Sequence, residues 1–592
     1  MNNLKQRILS IFLKNKHNEE RTFLALSILT GVICGFVTVS LDFIIHYITD
    51  FIGTNKTFTP KAFALGGLLI FVSGWLTTRK FPSTAGSGIP SIKIALAVHH
   101  GKISLKETIA KFFTTILSLS SGISLGKEGP VVTICSGIGS FFGQSFHLSK
   151  KRVKALLAVG SAGGIAAAFN TPISAVIFTM EEIVGDLNTK SLGPIVIGAV
   201  VAAITGHVLL GERAIFSQVF YKLTDPKELI FYVIIGLVAA ITGPTWVLST
   251  LKLRKLSRQV LKNHRLTMIL MAFFIIGLLS YIHPGVLGGG HLVLEKALSS
   301  KILDWKVIGM LFLLKFFATS LCYSSGPSGG LFMPTLFVGA SMGSFIGALS
   351  HQFFPEIATT NIGAYALVGM GAYFVAVIRA PFTSILMVFE LTRDYHIILP
   401  LMVANVIAYM LSDKISKGSI YERISEQDGI HLPTKEDEEI LESVTVEDAY
   451  QKDVLSLKQS DTIGQAYIKL KGNPISGFPV LKNNRLYGVI AKSDIMAEMV
   501  RKNHQKLIKD VCEKKIIKIY PDQSLMVAFH RLKRFQISRL PVVSRLDDRQ
   551  LIGIITASDI VDHFGHKLAE EKAKISLEDE DYEKKILSED LK

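Results

Sequence analysis

The sequence predicts an all-α polytopic membrane protein built as an internal repeat, followed by a small α/β domain used twice. Three observations predict this. Residues from about 23 to 412 carry long apolar runs, including 23–49, 61–78, 229–250 and 306–323, several of them near the ~20 residues that cross a bilayer. The same stretch holds two copies of one plan: Lys111 to Pro130 and Lys315 to Pro334 coincide at 11 of 20 positions, 204 residues apart, and a fixed-period self-match marks a duplicated architecture. From about Asp413 onward charge returns and the long apolar runs end. Across all 592 residues, 49% are hydrophobic and 19% charged, and the mean hydropathy is +0.40, too apolar for a chain that is soluble throughout.

The first 22 residues are basic and amphipathic and read as a cytoplasmic helix. They contain no small-residue cleavage site, so no cleaved signal peptide is expected. Lys/Arg clusters at 5–21, 150–154 and 251–265 mark cytoplasmic loops by the positive-inside rule. The N-terminus and the C-terminal domain are therefore expected inside, in a bacterial inner membrane. The net charge of +16 is mostly this topology signal, because the basic residues are scattered among loops, and no nucleic-acid partner is expected. Cys34, Cys135, Cys322 and Cys512 are far apart in sequence and lack ligand spacing, so neither a disulfide framework nor a metal site is indicated.

The membrane domain is expected over 23–425, as repeats at about 23–210 and 228–425. Its first glycine break runs from Thr84 to Pro90 and answers Val286 to Leu292, 202 residues later. Ser87 sits there between Gly86 and Gly88, a hydroxyl on backbone that can approach an ion closely. Taken alone, Gly-Ser-Gly-Ile-Pro reads equally as a turn. The second break, 121–130, ends one helix and opens another with Pro in its first turn. A helix start offers free N–H groups and about half a positive charge, which favours an anion. At membrane depth such a break is tolerated only where it lines a cavity or is buried in protein, and duplicated broken helices build ion sites in many transporters.

The two copies differ at one chemically decisive place. Glu128 stands in the first turn of the new helix, and its twin is Phe332. A carboxylate there is itself an anion in an anion site, able to occupy it or to be displaced and take up a proton. The alternative is an N-terminal charge that stabilises the helix by ~0.3–1 kcal/mol. Intramembrane carboxylates are costly and by default functional, which favours the gate. Further on, Glu181 matches Glu390 at an offset of 209, so a shared structural role is expected, a cap or an ion pair. Glu182 matches Leu391, an asymmetry that suits a one-sided proton port; a solvated helix end is the other reading. Lys111 and Lys315 are twins and read as structural, snorkelling or paired.

These residues resemble the CLC chloride channels and chloride/proton antiporters. The resemblance covers about 23 to 566 and rests on GSGIP (86–90), GKEGP (126–130), GGLFMP (329–334) and Tyr421 in GSIYERI, in that order. It implies an inverted-topology repeat, a CLC-like subunit with its own anion pathway, and a homodimer. It further implies that Ser87 and Tyr421 place hydroxyls on a central anion and that Leu331 and Phe332 offer backbone N–H groups. Glu128 matches the gating and external proton-transfer glutamate, and Glu182 the internal proton-transfer glutamate. Lys127 stands where many members have Arg, a departure that leaves the gate intact. Without the resemblance, Tyr421 reads as an interfacial belt tyrosine.

After a linker at 426–445, the soluble tail duplicates a second unit. Gly477 to Ile495 answers Arg539 to Ile560: a Pro-Val strand, a polar turn, a Gly-led strand, then Asp opening a helix. The two copies, 446–506 and 507–566, resemble paired CBS domains, which often bind adenine nucleotides between repeats. Thr556 and Asp559 fit that family's hydroxyl and ribose-binding pattern, whereas the first copy has Ala491 in place of the Thr. An ATP, ADP or AMP site and a structural dimerisation module both stand. Residues 567–592 form a charged tail, helical or disordered.

The expected activity is exchange of chloride for protons across the bilayer, with a passive chloride channel as the alternative on the same scaffold. Glu182 separates them, since the family's channels usually carry an apolar residue there. Ser87 resembles the chloride-selecting members rather than those for nitrate or fluoride. No nucleophile–base pair, metal cluster or Walker loop points to an enzyme.

Overall fold

A computed structural model describes residues 16–186, 192–211, 226–260, 264–290, 304–358, 360–430, 435–470, 477–567 and 570, with Leu294 and Leu298. The first 15 residues, His291 with Leu292, and most of the charged tail expected over 567–592 lie outside them. The chain divides into two compact units, Met1–Leu432 and Pro433–Lys592.

The first unit is helical. Its elements are α1 (Lys16–Ile52), α2 (Pro60–Trp75), α3 (Ile89–Ala97), α4 (Leu105–Ser120), α5 (Glu128–Ser145), α6 (Lys150–Phe169), α7 (Pro172–Phe178), α8 (Leu192–Leu210), α9 (Leu229–Val260), α10 (Arg265–Leu279), α11 (Trp305–Ser325), α12 (Phe332–Phe353), α13 (Ile362–Ile378), α14 (Pro381–Thr392), α15 (Ile398–Ile415) and α16 (Ile420–Gln427). A π-helical turn, Thr179–Val184, continues α7. Among the described residues, eight helices are long and apolar enough to cross a membrane. The protein is an integral membrane protein.

The centre of this unit is made by α5 with α6 and, in the second half, α12 with α13. Small residues let these backbones meet, as membrane helix interfaces require. A Cβ on Gly139 would strike the carbonyl oxygen of Leu156, and one on the twin Gly343 would strike that of Tyr365. The same chain positions therefore do the same packing in each half. Cys34 and Cys135, distant in sequence, also meet here, each thiol lying 3.8 to 3.9 Å from the other's carbonyl oxygen.

Glu181 accepts hydrogen bonds from the Phe382 and Thr383 amides (3.2 and 2.9 Å) and the Thr383 hydroxyl (2.7 Å) at the start of α14. Glu390 does the same for α7, through the Ile173 and Ser174 amides (3.0 and 2.7 Å) and the Ser174 hydroxyl. Of the two structural roles expected, the pair are caps, each on the other half's helix.

Lys111 and Lys315 are structural, but among the described residues neither snorkels nor pairs with an acid. Both are fully buried. Lys111 Nζ donates to the carbonyls of Thr84 (2.8 Å) and Gly86 (2.6 Å), and Lys315 Nζ to those of Val286 (3.1 Å) and Gly288 (2.6 Å). Each ammonium thus satisfies carbonyls that the glycine break of its own half withdraws from a helix, groups that are expensive to leave unbonded.

The second unit is α/β. It contains α17 (Lys435–Ser443), α18 (Val446–Ala449), β1 (Leu457–Lys458), α19 (Ile463–Leu470), β2 (Gly477–Lys482), β3 (Arg485–Ala491), α20 (Lys492–Val500), α21 (Leu525–Phe535), β4 (Arg539–Val543) and β5 (Leu551–Thr556). In each copy an antiparallel pair is set by the Pro-Val strand, with Phe478 opposite Ile490 and Leu540 opposite Ile555. A parallel partner precedes each pair, Leu457 against Val480 and Ile519 against Val542. Two separate apolar cores result, one around Phe478 and Ile490, the other around Leu540 and Ile555.

Candidate functional site

Three interrupted helices meet at the centre of the membrane unit, and main-chain bonds hold their ends together. Gly126 and Gly330, equivalent residues of the two halves, exchange both N–H···O=C bonds at 2.8 and 2.7 Å as an antiparallel bridge. A bridge between equivalent residues that exchanges both bonds has local two-fold symmetry, as an inverted repeat requires. Gly86 joins from the first break: its N–H donates to the Pro327 carbonyl (2.9 Å) and its carbonyl accepts from Gly329 (3.1 Å). Gly86 and Gly88 have φ of 66° and 84°, in the left-handed region that glycine enters without strain. Gly88 also lies hard against Thr133, leaving no space for a side chain.

Five of the six candidate membrane site residues meet at this junction: Ser87, Glu128, Leu331, Phe332 and Tyr421. Glu128 and Phe332 open α5 and α12. Ser87 lies over the first turn of α5, so close that a Cβ on Gly129 would strike its hydroxyl. Ser87 and Tyr421 are 1% and 0% exposed, and among the described residues neither hydroxyl oxygen has a hydrogen-bond partner. They lie within range of each other. Tyr421 is therefore no interfacial belt residue; it opens α16 deep inside the protein. Two buried, uncommitted hydroxyls converging beside two helix starts fit an anion as substrate, since a buried polar group without a partner is costly.

The Glu128 carboxylate folds back over Gly126, within range of its own amide and that of Met333. It therefore lies against first-turn amides of both α5 and α12. Leu331 and Phe332 are buried at the same start, and the Phe332 ring packs on Phe169, Phe178 and Phe374 with centroids 5.2, 5.3 and 5.0 Å away. Next to Glu128, Lys127 is ion-paired with Asp42 of α1.

Glu182 sits on the π-helical turn, 5% exposed. Its Oε1 accepts from Lys93 Nζ at 3.0 Å and from the Ser419 hydroxyl at 2.8 Å. It is thus a buried carboxylate bonded through one oxygen and not a solvated helix end. Glu128 and Glu182 both act electrostatically on the Tyr421 hydroxyl. A cavity of about 110 Å³ reaches Ser87 past Tyr323, Arg254, Arg258 and Arg265. Arg254 and Arg258 are held there by Asp428, at 2.9 and 2.6 Å.

Sequence reasoning missed Lys93, Ser419 and Glu422. Lys93 stands in a short apolar helix directly after Gly-Ser-Gly-Ile-Pro, and Glu422 follows Tyr421. An intramembrane charge beside each motif was the available signal.

In the second unit, Thr556 and Asp559 line a cleft of about 300 Å³ with Gln451, Gly477, Arg539 and Asp453. Asp559 already caps the helix after β5: its Oδ2 accepts from the Thr556 amide and hydroxyl, both at 2.7 Å, and its Oδ1 from Gln451 at 2.6 Å. Burial lowers Arg539 from the ordinary guanidinium value, against the opposing charge of Asp559. In the first copy Asp494 accepts from the Ala491 amide at 3.3 Å, where Ala491 has no hydroxyl to add.

Comparison with known proteins agrees with this architecture. The family described as voltage gated chloride channel matches residues 66–413, and the CBS domain matches 446–501 and 508–566. The chain is 31% identical over 415 residues to the H(+)/Cl(-) exchange transporter ClcA of Vibrio cholerae, covering 68% of this chain and 88% of that one. It is 33% identical over 349 residues to a protein of Ralstonia nicotianae named as a ClcB-like chloride channel protein, covering 57% and 80%. Among solved structures, a slow cyanobacterial Cl-/H+ antiporter superposes with a TM-score of 0.64 at 27% identity, over 69% of this chain and 98% of the other. A eukaryotic CLC transporter shares the fold over 91% of this chain and 98% of its own, with a TM-score of 0.67 at 20% identity.

Proposed function

Because the chain belongs to the voltage gated chloride channel family and carries two CBS domains behind its membrane unit, we propose that it exchanges chloride for protons across the bilayer. The observation that carries this reading is the Glu128 carboxylate, seated against first-turn amides of α5 and α12 beside two uncommitted hydroxyls. It competes with chloride for the helix starts of α5 and α12. Chloride entering this place is met by the Ser87 and Tyr421 hydroxyls and by N–H groups at the Leu331–Phe332 helix start. A carboxylate displaced beside a bound anion takes up a proton, because two negative charges in one desolvated path repel strongly. Glu128 then carries the proton on the outer side, and Glu182 passes it on the inner side.

The passive channel remains the second reading, supported by the channel name of the Ralstonia relative. A buried carboxylate at 182, engaged by a lysine and a serine, favours exchange, as do the exchanger names of the Vibrio and cyanobacterial proteins.

The protein works as a homodimer in this reading. Ile173, Ile204, Phe382 and Val406 expose more than half of their surface on α7, α8, α14 and α15, elements drawn from both halves. The N-terminus and CBS pair face the cytoplasm, in keeping with the basic clusters. The CBS cleft takes an adenine nucleotide through Thr556 and Asp559. The test of the whole reading is reconstitution into liposomes under a chloride gradient, following chloride and pH together. Uphill proton movement is expected; chloride flux with no proton movement would establish the channel.

A further inference from the structure

Lys93 joins two carboxylates. Its side chain is 12% exposed, and its Nζ donates to Glu182 Oε1 at 3.0 Å and to Glu422 Oε1 at 2.9 Å. The two acids therefore lie no further apart than two hydrogen-bond lengths. Ser419 closes the ring: its hydroxyl donates to Glu182 at 2.8 Å, and its amide donates to Glu422 Oε2 at 3.0 Å. The acids differ in access to water, the Glu182 side chain being 6% exposed and that of Glu422 31%.

One ammonium and two carboxylates carry a net charge of −1, and one bound proton makes the cluster neutral. That proton can rest on either acid while Lys93 stays with the other. Both arrangements are neutral and both leave each charge paired, whereas an unpaired buried charge is strongly penalised. Moving the proton between the acids thus costs no net charge separation. Arg379, at the end of α13, is the next cation acting on Glu422, and it is tied to Ser412 at 2.8 Å and to Asp413 at 3.6 Å.

Resting on the exchange reading of Glu182, we propose that the proton route continues past Glu182 to Glu422, with Lys93 as the positioning residue that keeps the transfer neutral. In the step, the O–H bond on protonated Glu182 breaks and one forms on Glu422. Lys93 keeps its three protons and shifts its stronger contact from Glu422 to Glu182. Glu422 then releases the proton to water on its own side.

Full-length protein in liposomes, with chloride and proton flux read together while pH is varied on the Glu422 side, decides the matter. Glu422→Gln keeps an acceptor for the Ser419 amide. It should lower proton flux several-fold relative to chloride flux and flatten the pH dependence on that side, with Glu422→Asp restoring both. Lys93→Met should also lower the flux ratio and alter the pH profile, and Lys93→Arg should restore them. A Glu422→Gln protein with a wild-type flux ratio and pH profile overturns the proposal, whatever Lys93→Met does. Glu182→Gln run alongside separates the two levels. If it stays coupled, the exchange reading of Glu182 fails; if it uncouples while Glu422→Gln does not, only the extension to Glu422 fails.

Discussion

Glu181 and Glu390 stand 209 residues apart in the chain, and each closes the helix start belonging to the other's half. The bonds run crosswise, so neither half completes its own cap. The pair ties α7, which leads to Glu182, to α14 of the second half. Removing one charged acceptor of two amides and a hydroxyl costs about 1–3 kcal/mol. Glu181→Ala and Glu390→Ala should each lower the thermal midpoint in detergent, and by similar amounts. Unchanged melting in either variant would contradict the capping role.

Ser87 offers an uncommitted hydroxyl where α5 begins. A hydrogen bond to a charged group contributes about 1.5–3 kcal/mol, and each 1.4 kcal/mol is tenfold in affinity. Ser87→Pro should therefore shift preference from chloride towards nitrate by roughly tenfold or more. Equal relative fluxes of the two anions in wild type and variant would remove Ser87 from the pathway.

In the proposed exchange, Glu128 competes with the anion and carries its proton. Glu128→Ala removes both functions, so chloride should cross passively with no proton coupling and little pH dependence. Uphill proton movement by this variant in a chloride gradient would refute the mechanism.

Glu182 touches Lys93 and Ser419 but is assigned no contact with the anion. Glu182→Gln should abolish chloride-driven proton pumping while chloride still crosses. Normal coupling in the variant would place the inner proton port elsewhere.

The CBS cleft presents Arg539 together with Asp453 and Asp559, and Asp559 is already bonded to Thr556 and Gln451. Nucleotide binding must displace those bonds, so affinity for ATP, ADP or AMP should be weak and reduced further by Thr556→Ala. Calorimetry on the purified full-length protein checks this, and no heat at millimolar nucleotide would leave the cleft purely structural.

Much of this was legible because the chain is written twice. Register between the copies located the glycine breaks, and the mismatches Glu128 with Phe332 and Glu182 with Leu391 pointed to carboxylates that packing does not explain. What twin residues do was harder to read. Lys111 and Lys315 bind backbone carbonyls, and a carbonyl has no letter in the sequence. Lys93 and Glu422 stayed hidden for another reason: they are 329 residues apart and belong to short helices that meet only after both halves have folded together. Tyr421 shows the limit of local reading, since its burial is set wholly by helices remote in sequence.

The bridge between Gly126 and Gly330 has a consequence for ion size. Peptide groups bonded across the two halves hold the starts of α5 and α12 together there, with the Glu128 carboxylate lying over Gly126. A Cβ on Gly330 would come within 3.0 Å of the Gly129 nitrogen, and one on Gly126 would meet the Glu128 carboxylate before reaching Pro334 Cδ at 3.0 Å. A larger residue at Gly330 should therefore push the halves apart, whereas one at Gly126 should first displace the Glu128 carboxylate. Leakage of bulky anions such as iodide or thiocyanate becomes a ruler for that separation, reporting the fit between the halves in a way that chloride flux does not.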